Sequence, residues 1–200
     1  MDRAAPHPIA PRALATSIPN ILTYARIAAV PALVACLLLI HGDTGRWIAL
    51  ALFIAACITD YFDGYLARMW HQQSALGRML DPIADKLLVG VTLLMLVHDN
   101  TISGHMIWAA VIILSREILV SGLREFLAEL NVKIGVTQLA KWKTTLQMIA
   151  LGVLIAGPAG DRLIPGVSSI GLALLWLAAF LTLFTGYDYL KAAIRHAIDS

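Results

Sequence analysis

Apart from Ala13–Ala25, a lead-in interrupted by Thr16, Ser17, Pro19 and Asn20, six long apolar runs of this chain contain no Asp, Glu, Lys or Arg: Ile27–Gly42, Trp47–Thr59, Leu87–His98, Asn100–Ser115, Thr144–Gly160 and Leu163–Tyr187. One small water-soluble core could not hide them all, because a chain of this size leaves a large share of its surface exposed. They need lipid to face, so the pattern predicts six membrane-crossing helices. Of the 200 residues, 59% are hydrophobic and 14% charged, against about a quarter charged in ordinary soluble domains. The net charge of +2 comes without a basic run, which argues against a nucleic-acid partner.

Only the last run reaches the roughly 20 residues that cross a bilayer unaided. The other five become long enough if each helix continues through charged residues on one side, as Asn20–Ile40, Trp47–Arg68, Arg78–Val97, Met106–Phe126 and Leu139–Ala156. Apart from Arg46 and Arg162, every one of the 15 Lys and Arg residues falls in the tail and first helix, the second and fourth connections with their flanks, or the C-terminal end. Such a bias puts both termini in the cytoplasm. A charge at mid-bilayer costs about 2.5 to 3.5 kcal/mol on insertion scales, so the charged helix ends should face a shared interior. The expected architecture is therefore all-α: an integral membrane bundle of six transmembrane helices with a polar cavity open to the cytoplasm. Residues 1–17 lack an apolar core followed by a cleavage site and read as a short irregular cytoplasmic tail; residues 18–200 form the membrane domain. Cys36 and Cys57 lie in apolar stretches and suggest neither a disulfide nor a metal ligand set.

The chemistry concentrates at the end of the second helix and the start of the third. Asp60 and Asp63 are three residues apart, Asp81 and Asp85 four apart, so each pair projects from one helical face and antiparallel neighbours can bring all four together. Four carboxylates in a partly dehydrated cavity repel one another unless cations are supplied. Hard divalent ions with oxygen ligands meet that need, which favours Mg²⁺ or Mn²⁺ over Zn²⁺. Two such ions could clamp a diphosphate. Gly64 would let a ligand approach the helix backbone, and Arg68 could offer a bidentate fork to phosphate. Structural readings stand beside these. Asp81 before Pro82 has the form of a helix N-cap with proline at the first helical position, Asp60 could pair with a cation such as Arg68, Asp85 could pair with Arg78, and Gly64 and Gly77 could be packing or turn glycines. Burying four acids without a cation, however, has no cheap explanation.

The pattern Asp60-x2-Asp63-Gly64-x2-Ala67-Arg68-x8-Gly77-x3-Asp81-x3-Asp85 resembles the signature of the CDP-alcohol phosphatidyltransferases, with all eight defining positions filled. The resemblance implies a six-helix membrane enzyme that transfers a substituted phosphoryl group from a CDP-linked donor to an alcohol and releases CMP. It implies that Asp60, Asp63, Asp81 and Asp85 hold two divalent cations, with Asp85 also the general base, and that Gly64, Arg68 and Gly77 lie around the CDP moiety. A homodimer in a bacterial inner membrane, among membrane lipids, is likewise implied.

Three further segments, Ser17 to Arg26, Ser115 to Glu125 and Lys141 to Gln147, are similar to the branch of that family that joins CDP-diacylglycerol to sn-glycerol 3-phosphate. On that likeness Thr23 and Arg26 join the CDP contacts, although Asn20 with Thr23 would also serve as an N-cap and first-turn hydroxyl. Arg116, Arg124, Lys141 and Lys143 would bind the acceptor's phosphate, as Arg forks and Lys point charges commonly do. Cations at helix ends also snorkel to the interface, and Arg116 could instead be neutralised by Glu117 or another helix. Inositol phosphate, serine or phosphatidylglycerol are alternative acceptors, and a divalent-cation transporter is a reading from another class. For the transferase, the donor's tails must reach the bilayer sideways, so a groove between two helices is expected.

Overall fold

The computed structural model describes residues 18–69, 75–129 and 138–199. They form six helices, α1 (Ile18–Leu39), α2 (Asp43–Met69), α3 (Ala75–His98), α4 (Ile107–Glu129), α5 (Gln138–Asp161) and α6 (Val167–Asp199), with a 3-10 turn at Gly104–Met106 before α4. No strand occurs among the described residues. The proposed tail, 1–17, lies outside them. Each helix extends beyond its apolar run toward the charged end, as the length argument requires. The largest difference is in α6, which continues past Tyr187 through Leu190, Lys191, Ala192, Ala193 and Arg195 to Asp199, a stretch rich in strong helix formers.

Three prolines sit inside helices, Pro31 in α1, Pro82 in α3 and Pro158 in α5. Because α3 starts at Ala75, Asp81 and Pro82 are interior to it, and the N-cap reading of that pair does not hold. Asn20 is likewise inside α1 and buried, not at its cap.

Among the described residues, three segments are long and apolar enough to cross a membrane by themselves: Asn20–Leu39, Gly104–Ala128 and Val167–Tyr187. The chain is accordingly a helical membrane protein. Helices α2, α3 and α5 carry charged residues within their spans, in the first half of α3 and toward both ends of α2 and α5, and they depend on their neighbours to shelter them.

Helix α1 packs against α2 and α3, α2 against α5, and α4 and α5 against α6, with α3 touching α4 and α5 more lightly. In lipid there is little hydrophobic drive between helices, so close approach at small residues supplies the packing energy. Ala49, Ala109, Ala150, Ala178 and Ala179 are fully buried in the central cluster, interleaved with Leu33, Phe53, Leu88, Leu151, Leu154 and Leu175.

One polar network closes the end of the bundle away from the aspartates. Pro158 has no N–H to give the Leu154 carbonyl, four residues back, and Gly157 leaves helical geometry with φ +35°. The Arg46 guanidinium from α2 fills the gap, donating to the Ile155 carbonyl at 3.1 Å and the Leu154 carbonyl at 3.5 Å. Its other nitrogen holds Asp99 at 2.5 Å and Thr101 Oγ1 at 2.9 Å. The positive φ favours glycine at position 157, and a Cβ there would lie 2.9 Å from Arg46 Nη1, so the guanidinium would have to shift.

Candidate functional site

The contacts of α1 with α2 and α3 bring Asp60, Asp81 and Asp85 together with residues of the first helix. Arg26 is the only charged residue in α1, and its side chain is fully buried. Its Nη1 lies 2.8 Å from Asp60 Oδ1 and 3.0 Å from Asp85 Oδ1. One cationic nitrogen thus joins the last turns of α2 to the first turns of α3. Thr23, one helical turn earlier and buried, donates its hydroxyl to Asp81 Oδ1 at 2.6 Å. The side chains of Asp60 and Asp85 remain 40% and 43% exposed. Their open sides can therefore receive a ligand while their backs are fixed.

Asp63, Gly64 and Arg68 fall in the last two turns of α2, but their side-chain positions lie outside the described residues, as does that of Lys141 in the first turn of α5. Gly77 is buried near the start of α3. Asp60 pairs with Arg26 from another helix, a partner that spacing along α2 could not suggest. Among the described residues no three His, Cys, Asp or Glu side chains close around one point. The donor set nevertheless fits a hard cation: the side chains are carboxylates, and the oxygens of Asp60 and Asp85 already converge on a common positive nitrogen.

The cationic residues of α4 and α5 form a second cluster. Arg116 is buried against α6, donating Nε to the Thr182 carbonyl at 3.1 Å and Nη2 to Thr185 Oγ1 at 3.2 Å. Gly186, one turn beyond Thr182, makes room for it: a Cβ there would lie 3.2 Å from Arg116 Cγ and 3.3 Å from Nε. Arg116 Nη1 is 3.5 Å from Glu117 Oε1, and the same oxygen bonds the buried Lys143 ammonium. Helices α4, α5 and α6 are thereby cross-linked. Glu117 and two neutral polar groups of α6 are thus partners of Arg116. Arg124 is exposed near the end of α4.

One buried residue and the location of the expected groove were not legible in the sequence. Gln147, one turn after Lys143, is buried, and its Oε1 has no hydrogen-bond partner in the described structure; the i, i+4 spacing from Lys143 was the available signal. The groove is apolar, of about 780 Å³, and lies between α2 and α5. Phe53, Cys57 and Phe62 line one wall, Met148 and Gly152 the other, with Val167 of α6 at one end. Phe62, in the same turn of α2 as Asp60 and Asp63, lines the groove.

Carboxylates held on a buried cation at one end of an apolar helical bundle define a membrane protein with a polar site at that end. The family model of the CDP-alcohol phosphatidyltransferases matches residues 16–184, and the chain belongs to that family. It is 46% identical to a CDP-diacylglycerol–glycerol-3-phosphate 3-phosphatidyltransferase of Rickettsia bellii, over 90% of this chain and 97% of the relative. A protein of the same name from Cereibacter sphaeroides is 41% identical over 92% and 98%. Another, from Arabidopsis thaliana and numbered 2, is 38% identical over 90% and 80%.

Proposed function

We propose that this protein transfers the phosphatidyl group of CDP-diacylglycerol to sn-glycerol 3-phosphate, giving phosphatidylglycerophosphate and CMP, as a step of phospholipid biosynthesis. The observation that carries the reading is the convergence of Asp60 and Asp85, from two helices of the signature, on one buried cation with their open sides accessible. Family membership and the names of the relatives support the substrates.

In this reading Asp60, Asp63, Asp81 and Asp85 hold two divalent cations, Mg²⁺ or Mn²⁺. When bound, they would neutralise the diphosphate and the charge on departing CMP. Arg68 offers its fork to the diphosphate, and Gly64 and Gly77 leave backbone open beside the nucleotide, with Thr23 and Arg26 behind the carboxylates that face it. Asp85 takes the proton of the acceptor hydroxyl as its oxygen bonds to the phosphorus that carries diacylglycerol, and the bridging bond from that phosphorus to CMP breaks. Positioning and electrostatics dominate, as in other phosphoryl transfers. Arg116, Arg124, Lys141 and Lys143 attract and orient the acceptor's phosphate. The groove between α2 and α5 takes an acyl chain of the donor, letting the lipid lie in the bilayer while its headgroup reaches Asp60. Residues 18–200 act as one membrane domain, as a homodimer in a bacterial inner membrane, with the tail, both termini and the site cytoplasmic.

Release of CMP by the purified protein in detergent tests this. With CDP-diacylglycerol, CMP should appear only when both a divalent cation and glycerol 3-phosphate are present, and chelation should abolish it. Release that depends on inositol phosphate or serine, but not on glycerol 3-phosphate, would overturn the acceptor assignment.

A further inference from the structure

Helix α1 contributes no carboxylate to the site, yet it grips three of them. Asn20, Thr23 and Arg26 recur every third residue along it and are all buried, a polar stripe in a segment otherwise apolar enough to cross a membrane. Two members of the stripe end on signature aspartates: Thr23 on Asp81, Arg26 on both Asp60 and Asp85. A guanidinium keeps its charge at any pH a protein survives. Fully buried, it is also unable to swing into water.

We propose that Arg26 is the permanent counter-cation of the aspartate quartet, a positioning residue that assembles Asp60 and Asp85 before any metal arrives and stays behind them afterwards. The inference rests on the divalent-cation reading given above. Without a cation, four carboxylates from two helices would push α2 and α3 apart. Arg26 takes up part of that repulsion from the rear, leaving the exposed faces of Asp60 and Asp85 aimed at the ligand side. A net charge of −4 becomes −3 with Arg26 and +1 with two divalent ions, a sign suited to receiving an anionic diphosphate. This role differs from direct contact with the nucleotide, because the guanidinium is spent on the carboxylates.

The test compares thermal unfolding of wild-type protein, Arg26→Gln, Arg26→Lys and Arg26→Gln/Asp85→Asn in detergent, each with chelator and with saturating Mn²⁺, alongside Mn²⁺ binding followed by electron paramagnetic resonance. Arg26→Gln should lose far more stability in chelator than in Mn²⁺, because the metal replaces the missing positive charge. By linkage its Mn²⁺ affinity should be on the order of tenfold tighter than wild type. Arg26→Lys, which keeps the charge, should retain more metal-free stability than Arg26→Gln. Removing one acid should restore metal-free stability, so the double variant should unfold at a higher temperature in chelator than Arg26→Gln alone. Equal losses with and without Mn²⁺, no recovery in the double variant and unchanged Mn²⁺ affinity would overturn the proposal and leave Arg26 a packing residue. Should Arg26→Gln fail to fold, a double variant that folds supports the counter-cation role, and one that also fails refutes it. Absence of Mn²⁺ binding to the wild type would sink the metal reading instead, while the chelator arms would still decide the role of Arg26.

Discussion

The two ends of the bundle use the same pairing, guanidinium with carboxylate, for opposite purposes. At one end Arg46 and Asp99 are 14% and 23% exposed, and Arg46 is shared among Asp99, Thr101 and the backbone carbonyls released by the break at Gly157 and Pro158. At the other, the cation is completely enclosed while its two carboxylates are 40% and 43% exposed. A closed pair is a strut. An enclosed cation behind open acids is a site, because the unspent side of each carboxylate can still meet a ligand. The polar character of a helix end therefore says less about its role than which partner of each pair remains accessible.

Substitutions at the two ends should separate activity from stability. The largest effect belongs to Asp85→Asn, which should lower turnover about 10² to 10⁴-fold if the residue is the base, with circular dichroism and gel filtration unchanged; near-normal CMP release would remove Asp85 from that role. Arg46→Met should do the reverse. It strands the Leu154 and Ile155 carbonyls and the Asp99 carboxylate, so unfolding in denaturant should show a loss of about 3 kcal/mol. Activity per folded molecule should stay at the wild-type level, and a matching drop in turnover would break the distinction between strut and site.

Two smaller effects sharpen the comparison. Gly186→Val presses on Arg116 and should cost about 1 to 2 kcal/mol by overpacking. If Arg116 also orients the acceptor, KM for glycerol 3-phosphate should rise in that variant while KM for the donor holds; a stability loss with both values unchanged would make Arg116 a second strut. The smallest effect is expected at the groove. A Cβ at Gly152 meets only ordinary contacts with Leu50 and Phe53, at 3.7 and 3.9 Å, so Gly152→Leu should fold. It should raise KM for a long-chain donor by about fourfold for each methylene denied its place and spare a short-chain donor. Equal KM values for the two donors would take the acyl chain out of the α2 and α5 groove.

Much of the fold was legible because each helix had to span a fixed thickness with a limited supply of apolar residues. The alternation of uncharged runs with charged flanks predicts six helices, and six are found within a few residues of the predicted bounds, apart from the extension of α6. The pairing of the acids along each helix was legible for a different reason: spacings of three and four keep Asp60 and Asp63, and Asp81 and Asp85, near one face of their helices whatever surrounds them. Arg26 was visible as the lone charge of the first apolar run, a signal that demands a partner, but nothing in its spacing said which one. Arg46, in a short turn, looked like an ordinary exception to the charge bias. Its task exists only because the break in α5, more than a hundred residues later, leaves carbonyls without donors.

The sequence by itself determined the helices, their apolar and polar halves, and the acids that one helix face presents, since these depend on local periodicity and on the cost of charge in lipid. Only the tertiary structure decided which cation stands behind which acid, that Arg116 lies on α6 beside Gly186, and that the groove opens between α2 and α5. Those are contacts between residues far apart in the chain. They are set by how helices approach at small side chains, and a linear pattern does not record that geometry.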